Sequence, residues 1–125
     1  MARKEYFVIT QMADRPFSSA VRAGDFIFAS GTSGTVDAQG NTVKGIEAQT
    51  RRCLENLKKE LELAGASLSD VVKVQVFLTK AEDWAKMNEV YKEFFPVDRP
   101  ARTAVVTGLI RAEMLVEMEC IAHKP

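Results

Sequence analysis

Residues 46–79 read IEAQTRRCLENLKKELELAGASLSDVVKVQVFLT, and a change of rhythm inside this stretch decides the fold class. In its first half Ile46, Cys53, Leu54, Leu57, Leu61 and Ala64 fall on one helical stripe, while Glu47, Arg51, Arg52, Glu55, Lys58 and Lys59 take the wet side. Gly65 is placed to terminate this helix, since glycine adopts the left-handed backbone at no steric cost. From Val71 to Thr79 the period drops to two. Val72, Val74, Val76 and Leu78 share one face, and Lys73, Gln75, Phe77 and Thr79 share the other.

Downstream, Thr79-Lys80-Ala81-Glu82 matches a capping box and predicts a second helix with Trp84, Met87, Tyr91 and Phe94 inward, ended by Pro96. Two strands follow, Ala101 to Thr107 and Leu115 to Ala122. Upstream, Tyr6 to Ile9 reads as a short strand before the Asp14-Arg15-Pro16 turn. Ser18 to Arg22 and Phe26 to Ser30 then flank the Ala23-Gly24-Asp25 turn, with Gly31 and Gly34 breaking the second strand and a loop at Asp37–Asn41. Strands, helix, strand, helix, strands is the order of an α+β domain, here one domain over 1–125. It predicts a mixed sheet of about six strands with two helices on one face. The other face would carry Lys73, Gln75 and Phe77 with Leu115, Glu117, Glu119 and Ile121, a mixed surface that suggests an oligomer interface.

Composition narrows the function classes. The 17 basic and 17 acidic side chains give a formal net charge of zero, without the surplus that nucleic-acid phosphates call for. No apolar run approaches the roughly 18 residues of a membrane span, and MARKEYFVIT does not read as a secretory leader, so a cytoplasmic setting is expected. Cys53 and Cys120 fall in apolar patterns far apart in sequence, as two buried reduced thiols would. With the single His123 near the carboxyl end, a transition-metal site has almost nothing to be built from. Neither a G-x-G-x-x-G nor a Walker-type run is present, so neither metal nor organic cofactor is expected.

Arg102 is the first candidate for chemistry. It stands at the start of a strand, grouped by alternation with Ala104 and Val106 on a small, apolar face. A guanidinium there is costly unless an anion meets it, and its planar fork matches a carboxylate. The same pattern also fits a structural salt bridge to Glu117 or Glu119. These two glutamates alternate with Val116, Met118 and Cys120; a partly desolvated carboxylate of this kind can shuttle protons through a bound water, or simply be solvated or paired. Gly31 can bring backbone groups close to a ligand or merely end a strand. Phe17 lines a pocket or packs, and Asn88 is a polar contact or a half-exposed helix residue. No Ser-His-Asp or Cys-His arrangement is credible with the lone histidine in the tail. The residues alone go no further than an α+β oligomer in which an arginine-centred anion site is the functional candidate beside a structural salt bridge.

These residues carry a resemblance. Arg15-Pro16-Phe17-Ser18-Ser19-Ala20-Val21 is similar to the Gly-Pro-Tyr-Ser-Gln-Ala segment of the reactive intermediate deaminase (Rid, or YjgF) family. Phe28-Ala29-Ser30-Gly31, Ile46-Glu47-Ala48-Gln49-Thr50-Arg51 and Met87-Asn88-Glu89-Val90-Tyr91 follow in the family's order. So do Arg99-Pro100-Ala101-Arg102-Thr103 and Val116-Glu117-Met118-Glu119-Cys120-Ile121-Ala122, so the likeness spans nearly the whole chain. It implies a chorismate-mutase-like fold whose open sheet faces pack into the central barrel of a homotrimer, with ligand pockets between subunits. It further implies that Arg102 grips a substrate carboxylate, that Glu119 partners the hydrolytic water, and that Gly31 offers backbone contacts. Substrates of the family are 2-imino and enamine acids, hydrolysed to 2-oxo acids and ammonia.

The chain departs from that pattern at informative places. Phe17 lacks the hydroxyl of the family tyrosine, and Ala104 stands where cysteine is common, leaving a roomier and less polar pocket floor. Thr32-Ser33-Gly34 replaces a Gln-Ile-Pro type sequence, and Gly108-Leu109-Ile110-Arg111 lacks the usual Leu-Pro. Two other functions therefore stay open: a deaminase dedicated to an unsaturated amino acid such as 2-aminomuconate, and a non-catalytic trimer that binds small carboxylates or acts as a regulator or holdase.

Overall fold

The computed structural model describes residues 3–125; Met1 and Ala2, the start of the stretch read above for a leader, lie outside the described residues. Six strands join one sheet: β1 (Lys4–Phe7), β2 (Ala20–Ala23), β3 (Phe26–Ser33), β4 (Val71–Leu78), β5 (Ala101–Val106) and β6 (Val116–His123). Their spatial order is β1-β2-β3-β6-β4-β5. Every neighbouring pair is antiparallel except β4 and β5, which makes the sheet mixed.

Helix α1 (Ile46–Leu63) links β3 to β4, and helix α2 (Trp84–Phe94) links β4 to β5. Parallel strands cannot be joined by a tight turn, so each such link must cross over the sheet, and a helix fills that length. Strand β6 then enters between β3 and β4, pairing antiparallel with both. This is the α+β architecture, a mixed six-stranded sheet with both helices on one face, expected from the element order.

The core lies between the helices and one sheet face. Cys53, Leu54, Leu57 and Leu61 of α1 are buried against Ile27, Val74, Val76, Val116 and Met118 of the sheet. Each fully buried aliphatic side chain contributes about 1.5–3 kcal/mol. Gln49 fastens the loops over α1: its Nε2 donates to the carbonyls of Val43 (3.1 Å) and Glu113 (3.0 Å), and its Oε1 accepts from the Leu115 amide (2.9 Å). The opposite face, bearing Gln75, Phe77, Glu117 and Glu119, has no helix over it, and Phe26 and Phe28 stand on it exposed.

Local expectations are corrected in four places. Val72 is exposed and Val71 buried, because a bulge between Val71 and Lys73 inserts one residue and flips the pattern ahead of it. Strand β3 runs through Gly31 rather than stopping there, accommodating it as a register shift between Ala29 and Thr32. The Thr79 capping box does not form. The Thr79 amide stays bonded to the Leu115 carbonyl (3.2 Å), a short 3-10 turn over Ala81–Asp83 intervenes, and α2 begins at Trp84. His123 is no frayed tail: it closes β6 with its ring 5.0 Å from that of Phe26.

Candidate functional site

Two groups of candidate residues form, on opposite sides of the sheet. In register, Arg102 pairs with Val74, which pairs with Cys120; Thr103 pairs with Gln75, which pairs with Glu119. Val74 and Cys120 are core residues beneath the helices, so Arg102 shares their face, whereas Glu119 points to the open one. The sheet itself stands between Arg102 and both glutamates. The salt bridge from Arg102 to Glu117 or Glu119 that the sequence left open is therefore absent from the described chain.

Arg102 is held by α2 instead. Its guanidinium carbon lies 4.7 Å from the Tyr91 ring centre and 5.0 Å from that of Trp84, and Nη1 approaches the Met87 sulfur at 3.9 Å. Cation–π contacts fix the guanidinium without neutralising it. Among the described residues no carboxylate forms an ion pair with it. The helical spacing of Trp84, Met87, Asn88 and Tyr91 sets these groups on one side of α2, around the strand end that carries Arg102. Trp84 was expected inward, yet it is 49% exposed, because it covers the arginine at the sheet margin rather than entering the core.

Shallow grooves flank the arginine. One, of about 260 Å³, is lined by Asn88, Tyr91, Lys92, Arg99, Pro100 and Arg102. The other, of about 290 Å³, runs along Trp84 and Ala104 to Val105 and Val106, and is largely apolar. Burial pushes the Tyr91 phenol up to about 12, against the pull of Arg102, and its hydroxyl has no hydrogen-bond partner among the described residues. Arg102 and Asn88 thus share one groove, and Ala104, two residues along β5 from Arg102, lines the other.

On the open face Gly31 meets Glu117 and Glu119 points the same way, while Phe17 lies with Gly31 along a cleft against α1. A Cβ on Gly31 would stand 2.6 Å from Glu117 Oε1, so the missing side chain makes room for that carboxylate over the β3 bulge. Phe17 is half exposed, with the Arg15 guanidinium carbon 6.0 Å from its ring centre. The reading of the sequence missed Trp84 and Tyr91 as partners of Arg102. The signal was available in their i to i+7 spacing, but that spacing also serves a core.

The family described as Endoribonuclease L-PSP matches residues 9–124. The chain belongs to that family. A RutC family protein of Pyrococcus abyssi is 47% identical over 121 residues, covering 94% of this chain and 95% of the relative. The crystal structure of a member of the YjgF/YER057c/UK114 family from Mycobacterium tuberculosis matches with a TM-score of 0.83 and 32% identity, covering 97% of this chain and 99% of the other. E. coli TdcF, solved with bound serine, matches with a TM-score of 0.86 and 31% identity, covering 97% and 100%. The resemblance to the Rid/YjgF family drawn from the motifs is thus an actual membership, which supports a deaminase-like role in general. Among the described residues, no helix is long and apolar enough to cross a membrane.

Proposed function

We propose that this chain hydrolyses reactive 2-imino acids and their enamine tautomers to 2-oxo acids and ammonia. The observation that carries the reading is Arg102: a guanidinium fixed between two aromatic rings, unpaired by any described carboxylate, at the edge of open grooves. Such a group is preorganised to receive a substrate carboxylate bidentately. Glu119, on the far face of the sheet, cannot meet that substrate within one copy. The proposal therefore includes a homotrimer whose clefts combine Arg102, Asn88 and Ala104 of one copy with Phe17, Gly31 and Glu119 of the next. The uncovered sheet face supports this assembly.

In the proposed reaction Arg102 clamps the carboxylate, and Glu119 removes a proton from water as it adds to the imine carbon. The resulting carbinolamine collapses when Glu119 returns the proton to nitrogen and takes up the hydroxyl proton. The C–N bond then breaks, the carbonyl forms and ammonia leaves, carrying that last proton away as ammonium. A protonated imine is already electrophilic, so the step needs no cofactor. Phe17 and Ala104 leave the pocket less polar than one with tyrosine and cysteine there, which favours a bulkier or unsaturated substrate such as 2-aminomuconate as a variant of the same chemistry. The formal charge balance supports a small carboxylate over RNA as the ligand, and a cytoplasmic setting belongs to the same proposal.

A second reading, a carboxylate-binding regulator without turnover, is favoured by the serine bound to TdcF. Release of 2-oxobutyrate and ammonia from 2-iminobutyrate generated in situ separates the two. Turnover by wild type that Arg102→Ala loses, with the oligomer intact by light scattering, supports the deaminase. Undiminished turnover by Arg102→Ala would overturn the role of Arg102, and binding without turnover by wild type would select the regulator.

A further inference from the structure

Glu60 sits in the apolar stripe of α1, between Leu57 and Leu61, where packing asks for a hydrophobic residue. It is only 6% exposed, and its Oε1 is fully buried with no hydrogen-bond partner among the described residues. An ionised carboxylate without partners is too costly to keep inside a protein, so the group resolves the conflict by holding its proton. Burial pushes its pKa from 4.5 up to about 8, against the opposing pull of Arg15.

Glu60 is not sealed in. It lines a cleft of about 290 Å³ between α1 and the segment from Ile9 to Ser19. Arg15, Arg52 and Lys59 line the same cleft, and none of the three forms an ion pair among the described residues. Arg52 donates through Nε to the Val36 carbonyl (3.0 Å), which orients the rest of its fork. Asp37, the remaining acid of the lining, stays ionised and offsets one of these three charges: its Oδ1 accepts from the amides of Asn41 and Gln39, both at 2.9 Å, which with the Arg52 charge holds its carboxyl below the usual range. Behind Glu60 the thiols of Cys53 on α1 and Cys120 on β6 are pushed up by burial and stay neutral near physiological pH. The cleft is thus net cationic, with a carboxyl hydrogen available from α1. Ile9, Met12, Ala38 and the Phe17 ring supply apolar wall beside these groups, suited to a carbon skeleton.

We infer that this cleft binds a small organic carboxylate, gripped by Arg15, Arg52 and Lys59 and receiving a hydrogen bond from Glu60. The site uses neither Arg102 nor Glu119 and stands or falls apart from the imine reading; the residues it shares with that proposal are Phe17 and Gly31. Binding there weakens as Glu60 ionises, because the donor is lost and a negative charge faces the ligand.

The test is a titration of Arg102→Ala, which lacks the proposed substrate clamp, with propionate and separately with inorganic phosphate. Chemical shifts of the Asn56 and Gly31 amides report occupancy. Propionate affinity should fall about tenfold between about pH 7 and pH 9, following the protonated fraction of a group titrating near 8. In an Arg102→Ala, Glu60→Gln background, which keeps a neutral donor at that position, affinity should hold across the same range. Absence of propionate binding near neutral pH would overturn the inference. So would an equal pH dependence in the Gln variant, or phosphate binding as tightly as propionate.

Discussion

The guanidinium carbon of Arg102 lies 4.7 Å from the centre of the Tyr91 ring, so a residue of α2 positions the cation that β5 carries. Lysine cannot reproduce this arrangement, since its compact ammonium offers neither the flat fork nor the stacking plane. Arg102→Lys should lower kcat/KM for 2-iminobutyrate by about 2 kcal/mol or more, roughly thirtyfold, with the melting temperature little changed. Steady-state kinetics beside a thermal melt checks it.

Glu119→Gln should separate binding from chemistry. The amide keeps the shape of the side chain but cannot take a proton, so kcat should fall by about 10²–10⁴ while KM stays near the wild-type value. A matching fall in Glu117→Gln alone would move the base to the neighbouring carboxylate.

The buried carboxyl of Glu60 makes stability depend on pH. Between its unfolded value of 4.5 and its native value of about 8, the native state holds a proton that the unfolded chain has lost. Stability present below 4.5 is therefore lost progressively as pH rises toward 8, at a slope of at most about 1.4 kcal/mol per unit from this group. Glu60→Gln should flatten that slope. Urea unfolding at several pH values measures it.

Two glycines with similar sequence surroundings should respond differently. A Cβ on Gly34 would fall on the Gln49 carbonyl oxygen and stand 2.8 Å from the Cys53 amide nitrogen, both rigid backbone of α1. On Gly31 it would meet only the end of the Glu117 side chain, which can swing away. Gly34→Ala should cost about 3 kcal/mol or prevent folding, and Gly31→Ala about 1 kcal/mol or less, as read by chemical denaturation.

Native-state alkylation should leave both thiols untouched. Burial pushes Cys120 up to about 12 and Cys53 further, and both are enclosed, so iodoacetamide at about pH 8 should label them only after unfolding. Mass spectrometry of native and urea-treated samples distinguishes the cases.

Much of this molecule is legible from local pattern. The alternation of β6 predicts its buried face residue by residue, because side-chain direction follows from the period. The stripe of α1 predicts its buried apolar residues but not the buried Gln49, Thr50 and Glu60, since a polar residue hides its place on the inner face. Alternation fails at Val71 and Val72, where pairing with β6 demands a bulge, and at Thr79, whose amide the Leu115 carbonyl captures before a cap can form. Arg102 was legible as a candidate but its surroundings were not. Trp84 and Tyr91 meet it only because α2 returns across the edge of the sheet.

Residue order and periodicity settle the elements, the α+β class, the core stripe and the motifs that place the chain in its family, since each depends on groups close together along the backbone. The packed structure decides the rest: that Arg102 and Glu119 lie on opposite faces, that the arginine rests on two rings instead of a carboxylate, and that Glu60 ends up buried at a cleft that Arg15, Arg52 and Lys59 also line. These are contacts between segments remote in sequence. Their geometry is set by strand register and helix docking, which no local period contains.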